Sequence, residues 1–122
     1  MSRVLLVEDD PLITEMIADE LLQRGYHVET AANGADALER VAAQRPDAIV
    51  LDLMLPILHG WDFVDHYREH TSGELVPIVV VSAAGAVTRS MERMGVKAFL
   101  PKPLNLEELV QRLTEITGEP AQ

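Results

Sequence analysis

A small set of polar side chains could form one reactive site, because each lies at or just after the end of a short apolar run: Glu8, Asp9, Asp52, Ser82 and Lys102. Carboxylates without a neighbouring histidine or cysteine suit a hard cation, Mg²⁺ first and Mn²⁺ as the alternative ion. An ammonium and a hydroxyl facing that cation could neutralise and hydrogen-bond a phosphoryl group. The residue types therefore indicate a metal-dependent site for phosphoryl chemistry.

The elements that must position these side chains alternate between strand and helix. Strands are predicted over Val4–Val7, Tyr26–Thr30, Ala48–Leu51, Val76–Val81 and Lys97–Leu100. Helices are predicted from Pro11 to Arg24, after Asn33, from near Gly60, over Val87–Met94 and after Asn105. Strict alternation favours an α/β protein with a parallel sheet, and the nearly continuous apolar strands indicate helices on both faces.

Local signals mark where several of these helices begin and end. Asp10 followed by Pro11 is typical of an N-cap and first helical residue, and Gly25 closes that helix. Asn105 with Glu108 three residues later is typical of a capping box. Because the carboxyl ends of parallel strands meet at one edge, where ligands of such sheets bind, the polar set is expected to converge there.

Composition limits the classes of function. The 122 residues contain no cysteine, which excludes disulfides. Their net charge of −10 disfavours direct binding of nucleic acid, because phosphate backbones repel an acidic surface. No apolar run is long enough to insert into a membrane, and no secretion signal is evident, so a cytoplasmic protein is predicted. We expect one domain over residues 1–118, a short tail over 119–122 and no output domain in these residues. The domain would be either a stand-alone unit or part of a longer regulator.

Four motifs carry a resemblance to a known family. They are Val7-Glu8-Asp9-Asp10-Pro11, Ile49 to Pro56 followed by Gly60, Val81-Ser82-Ala83, and Phe99-Leu100-Pro101-Lys102-Pro103. In this order and spacing the chain resembles the receiver domain of two-component response regulators. The resemblance implies a single flavodoxin-like (βα)₅ domain with a parallel five-stranded sheet in the order 2-1-3-4-5 and helices on both faces.

The same resemblance assigns the metal site and the phosphoacceptor. It makes Asp52 the carboxylate nucleophile that forms an aspartyl phosphate. It implies that Asp9 and Asp52 ligate Mg²⁺ directly, Glu8 through water and Met54 through its backbone carbonyl.

Further residues are implied to act in signalling. Ser82 would hydrogen-bond the phosphoryl oxygens and Lys102 would pair with them. Ser82 and Phe99 would form the switch, and Lys102–Pro103 would be a cis peptide. His59 departs from the acidic residue common before the loop glycine. The small residues from Ala83 to Val87 also depart from the family's usual pattern.

The resemblance implies a signalling module and not a conventional enzyme, with self-phosphorylation from a phosphodonor and autodephosphorylation as its only chemistry. The donor would be a histidine kinase or a histidine phosphotransfer protein. Phosphorylation would switch the face formed by the predicted fourth helix, fifth strand and fifth helix, which would bind a second copy or a downstream protein.

Two other functions share features with this sequence. A Mg²⁺-dependent phosphatase or phosphotransferase of the haloacid-dehalogenase type also uses an aspartate nucleophile after a strand. That class places a second acid two residues later, where this chain has Met54. The pattern His66-x-x-Glu69-His70 matches a zinc-protease motif, but no third ligand is evident and the predicted helix turns Tyr67 to the core and the histidines toward solvent.

Overall fold

The computed structural model describes residues 2–52, 62–64, 66–67, 76–82 and 96–118. Five strands form one parallel sheet in the order β2-β1-β3-β4-β5. They are β1 (Arg3–Val7), β2 (His27–Ala31), β3 (Ala48–Asp52), β4 (Ile78–Ser82) and β5 (Val96–Pro101). The predicted fold class and strand order are confirmed.

Three helices have both ends within the described residues: α1 (Pro11–Gln23), α2 (Gly34–Ala43) and a C-terminal helix (Leu106–Thr117). Residues 62–64 and 66–67 are also helical, in the region of the third predicted helix. The fourth predicted helix, Val87–Met94, lies outside the described residues. None of the helices in the described ranges is long and apolar enough to cross a membrane.

The sheet carries one apolar core on each face, because alternate side chains of each strand point to opposite sides. From β1, Leu5 and Val7 pack with α2 and with the helical residues Phe63, Val64 and Tyr67. Val4 and Leu6 belong to the other core, which contains the apolar stripes of α1 and the C-terminal helix. Helices therefore cover both faces of the sheet, and the polar residues at the strand ends lie at its carboxyl edge.

The predicted caps hold the helices in place. Asp10 Oδ1 accepts hydrogen bonds from the N–H groups of Leu12 and Ile13, so this acid is a helix cap, as expected. Asn33 and Asn105 cap α2 and the C-terminal helix in the same way. Gly25, at φ 94°, lies in a left-handed conformation that favours glycine, which explains the end of α1 before β2.

The strand bounds differ from the sequence prediction by one or two residues, and two strands, β2 and β4, begin later than predicted. Strand β2 begins at His27, because Tyr26 is buried under α1 and the C-terminal helix and its hydroxyl lies 3.3 Å from Thr114 Oγ1. Strand β4 begins at Ile78, because the Val76 N–H donates to the Tyr67 hydroxyl at 2.7 Å instead of to a neighbouring strand. Apolar residues at both positions serve the core without being in a strand.

The bond between Val76 and Tyr67 leads to a stability prediction. Both residues are buried, so Tyr67→Phe leaves the Val76 N–H without its acceptor. We expect the free energy of unfolding to fall by about 1–3 kcal/mol, the usual cost of an unsatisfied buried donor, measured by urea unfolding. Tyr26→Phe is the matched control, since its longer contact with Thr114 predicts a smaller loss. An equal loss in the two variants would contradict this interpretation.

Candidate functional site

The polar set predicted from the sequence lies together at the carboxyl ends of the strands. Glu8 and Asp9 follow β1, while Asp52 and Ser82 are the last residues of β3 and β4. Glu8, Asp52 and Ser82 are buried and Asp9 is exposed. The side chains of Glu8, Asp9 and Asp52 each place one carboxylate oxygen within 4.8 Å of the other two. The expected convergence of the three acids is confirmed.

Lys102 supplies the positive charge at this edge. Its Nζ donates to Glu8 Oε1 at 3.0 Å and to Asp52 Oδ2 at 3.2 Å. Its backbone N–H donates to the Ser82 carbonyl at 3.0 Å, which ties the segment after β5 to the end of β4. The Lys102–Pro103 peptide is cis, as the resemblance implied. One ammonium is thus shared by two buried carboxylates.

The electrostatics follow from burial and from this shared ammonium. Burial raises the pKa of Glu8, the Asp52 charge raises it further, and the bonds from Lys102 and from the Asp10 amide oppose the shift. Burial acts to lower the pKa of Lys102, but hydrogen bonds to Glu8 and Asp52 outweigh it, so the pKa of the ammonium is raised. Lys102 is therefore held in its charged form.

The donor set fits a hard divalent cation. Three carboxylates from two strand ends meet within 4.8 Å, two of them are buried, and one ammonium offsets only part of their charge. Oxygen-only ligands of this kind are those that Mg²⁺ takes from proteins. A bound cation would relieve the repulsion that these carboxylates exert on one another.

The structure describes only some of the remaining residues that were predicted from the sequence. Ser82 is 1% exposed at the end of β4. Phe99 is half-buried on β5, pairs with Val80 and packs against the apolar core that contains Phe63 and Tyr67. Met54, His59 and the run Ala83–Val87 lie outside the described residues. His66 is exposed, as expected, while Glu69 and His70 of the zinc-type pattern are outside them.

Two contacts at the site could not be predicted from the sequence. The Thr14 hydroxyl donates to the Glu8 carbonyl at 3.4 Å, and the Glu8 N–H donates to the Ala31 carbonyl at 3.0 Å. Both fix the backbone of Glu8 between α1 and β2. A threonine four residues after an N-cap was the available signal, but that pattern alone does not predict which carbonyl it contacts.

Comparisons with known proteins agree with this geometry. A family model, the response regulator receiver domain, matches residues 4–114. Two relatives are "Response regulator MprA" of Mycobacterium ulcerans and of Mycobacterium leprae, 40% and 41% identical over 113 residues. Each match covers 91% of this chain but 48% and 49% of the relatives, so the chain spans about half their length.

Solved structures are similar over nearly the whole chain. The chemotaxis protein CheY4 of Vibrio cholerae has a TM-score of 0.86 at 31% identity, covering 95% of this chain and 98% of that one. The receiver domain of sensor histidine kinase PA1611 from Pseudomonas aeruginosa has a TM-score of 0.83 at 33% identity, covering 96% and 98%. That structure has a magnesium ion coordinated in its active site cleft.

These matches favour the receiver over the haloacid-dehalogenase alternative, because one family model spans residues 4–114 and so includes Glu8, Asp9 and Asp52 together. The strand order and the position of the site agree with that assignment. The chain belongs to the receiver domain family of two-component response regulators.

Proposed function

We propose that this chain accepts a phosphoryl group on Asp52 and passes the signal on by a change of its surface. The observation that carries the proposal is the position of Asp52, a buried carboxylate with Lys102 Nζ 3.2 Å away and two further acids beside it. An Asp52 oxygen would attack the phosphorus of a phosphohistidine as the bond from phosphorus to nitrogen breaks. The departing imidazole keeps that electron pair and takes up a proton.

The residues around Asp52 support this reaction. Lys102 would pair with the new phosphoryl oxygens, and the Ser82 hydroxyl would donate to them. Asp9 and Asp52 would hold Mg²⁺ directly, Glu8 through water and Met54 through its carbonyl, with Mn²⁺ as the alternative ion. When bound, the cation would neutralise charge on the transferred group.

The donor in this proposal is a histidine kinase or a histidine phosphotransfer protein. Self-phosphorylation and autodephosphorylation would be the only chemistry, so the chain is proposed as a signalling unit and not as a conventional enzyme. We place the end of the receiver unit at Gly118, because its left-handed conformation, at φ 75°, closes the C-terminal helix. The output of a longer regulator would depend on segments other than this unit.

The direct test is incubation of the chain with acetyl phosphate and Mg²⁺, followed by intact-mass measurement. We expect a gain of one phosphoryl group that hydroxylamine removes, since an acyl phosphate is cleaved by that nucleophile. Phosphohistidine donors would then be compared with the small donor by the same measurement. A chain that stays unlabelled under both conditions would contradict the proposal.

Phosphorylation is expected to alter the face that includes β5. The phosphoryl group carries about 1.5 to 2 negative charges. One of these replaces the carboxylate charge of Asp52, so the net gain beside Ser82 is about 0.5 to 1. Movement of Ser82 toward the phosphoryl group would open space near β4, into which the half-buried Phe99 ring could turn. The proposed face comprises the predicted fourth helix, β5 and the C-terminal helix, and a second copy or a downstream protein would bind it.

Beryllofluoride, a mimic of the phosphoryl group, tests this switch. With Mg²⁺ present, we expect amide resonances of Ser82 and of β5 to shift and the Phe99 ring to change rotamer. Fluoride and Mg²⁺ without beryllium serve as the control. If the mimic binds while Phe99 keeps one rotamer and the β5 amide resonances do not shift, the proposed switch does not operate in this chain.

A further inference from the structure

The Glu8 carboxylate uses its two oxygens for different partners. Oε2 accepts from the backbone N–H groups of Asp9 at 3.1 Å and Asp10 at 3.3 Å. Oε1 accepts from Lys102 Nζ at 3.0 Å. With its side chain only 3% exposed, Glu8 is fixed by its own loop on one oxygen and presents the other to the ammonium.

The same ammonium also lies 3.2 Å from Asp52, so two carboxylates compete for it. The contact with Glu8 is the shorter of the two. The Glu8 carboxylate is also held in place by two backbone N–H donors on Oε2, which orient Oε1 toward Lys102 independently of the lysine. Both bonds from Lys102 are charge-assisted and therefore strong, so the orientation of Glu8 by its own loop is what distinguishes the two acceptors.

We propose that Glu8 is a positioning residue for Lys102, which it holds at the edge of the sheet whatever charge Asp52 carries. The purpose of this arrangement rests on the proposed function: when Asp52 takes a phosphoryl group, the ammonium is already within reach of its oxygens and need not be ordered from solvent. Glu8 then acts through Lys102 in addition to any part it takes in holding a cation.

The length of the side chain matters to this role. An aspartate at position 8 would be shorter by one carbon–carbon bond, about 1.5 Å. It would have to give up either the backbone donors of the loop or the ammonium on the strand side. Glutamine keeps the length and an oxygen for the backbone donors, but it loses the charge that attracts Lys102.

The reactivity of Lys102 toward an amine-modifying reagent tests the proposal. The chain has two lysines, and the exposed Lys97 is an internal reference. Modification is measured by peptide mass mapping at one pH, in EDTA and without any phosphodonor. We expect Glu8→Gln to raise the ratio of Lys102 to Lys97 modification about tenfold, as loss of a charge-assisted bond implies. Asp52→Asn should give a clearly smaller rise.

Two further variants separate positioning from general loosening of the fold. Glu8→Asp keeps the charge and shortens the reach, so we expect it to raise the ratio as well, and it replaces Glu8→Gln if that variant does not fold. Tyr67→Phe destabilises the chain away from Lys102 and should leave the ratio unchanged. A rise with Asp52→Asn that equals or exceeds the rise with the Glu8 variants would overturn the proposal, as would an equal rise with Tyr67→Phe.

The test does not depend on phosphorylation, because neither metal nor phosphodonor is present. A chain that shows the expected ratios but takes no phosphoryl group would contradict the proposed function and leave the positioning of Lys102 standing. Labelling of Asp52 without the expected modification ratios would contradict the positioning of Lys102 by Glu8 and leave the proposed function standing.

Discussion

Asp52→Asn is expected to lower phosphoryl labelling by acetyl phosphate by at least about a hundredfold, because an amide cannot replace the carboxylate nucleophile. The substitution is nearly isosteric and removes one of the mutually repelling charges at the site. We therefore expect the variant to fold, which circular dichroism and urea unfolding would check. The rate of label incorporation, measured by intact mass in Mg²⁺, gives the size of the loss.

Asp19→Asn is the matched control for this variant, since it makes the same chemical change at an exposed position on α1. It should label at the rate of the unmodified chain. Label that persists on the Asp52→Asn protein and survives acid and hydroxylamine treatment would mean that another residue is the acceptor. Peptide mapping would then identify that residue.

Much of the sheet could be predicted from the sequence because its strands are covered on both faces. A strand such as β3 is buried at every position, so its residues form a continuous apolar run that polar residues interrupt only at the site. The start of the edge strand β2 is less clear from the sequence. Its neighbour Tyr26 is apolar enough to extend the strand pattern, yet it is buried as a core residue outside the strand.

The gathering of the acids could also be predicted, because parallel strands bring their carboxyl ends to one edge. The carboxylate that the Lys102 ammonium contacts could not be predicted in this way. Glu8 and Lys102 are 94 residues apart, on segments after β1 and β5, and these strands are separated in the sheet by β3 and β4. Whether the lysine contacts Glu8, Asp52 or both depends on side-chain reach and on the loop amides, which residue spacing does not encode.

Asp9→Asn is expected to weaken Mg²⁺ binding about tenfold, because the affinity of such sites follows the number of charged ligands. Asp9 is exposed, and its carboxylate lies in the cluster with Glu8 and Asp52, so the change removes charge from the site without opening the core. Calorimetric titration with Mg²⁺ in the absence of phosphodonor measures the affinity. Labelling at Mg²⁺ concentrations below saturation should fall in the same proportion, and EDTA should abolish it in the unmodified chain.

Asp10→Asn is the control that separates ligation from a general change of charge. It removes the same charge one residue further along the chain, and asparagine caps a helix as well as aspartate does, so the bonds to Leu12 and Ile13 can persist. Long-range attraction alone would weaken Mg²⁺ binding to a similar, small extent in both variants, since water and salt screen exposed charges. Equal affinities of the two variants would therefore show that Asp9 acts as a distant charge, whereas a selective loss with Asp9→Asn identifies it as a ligand.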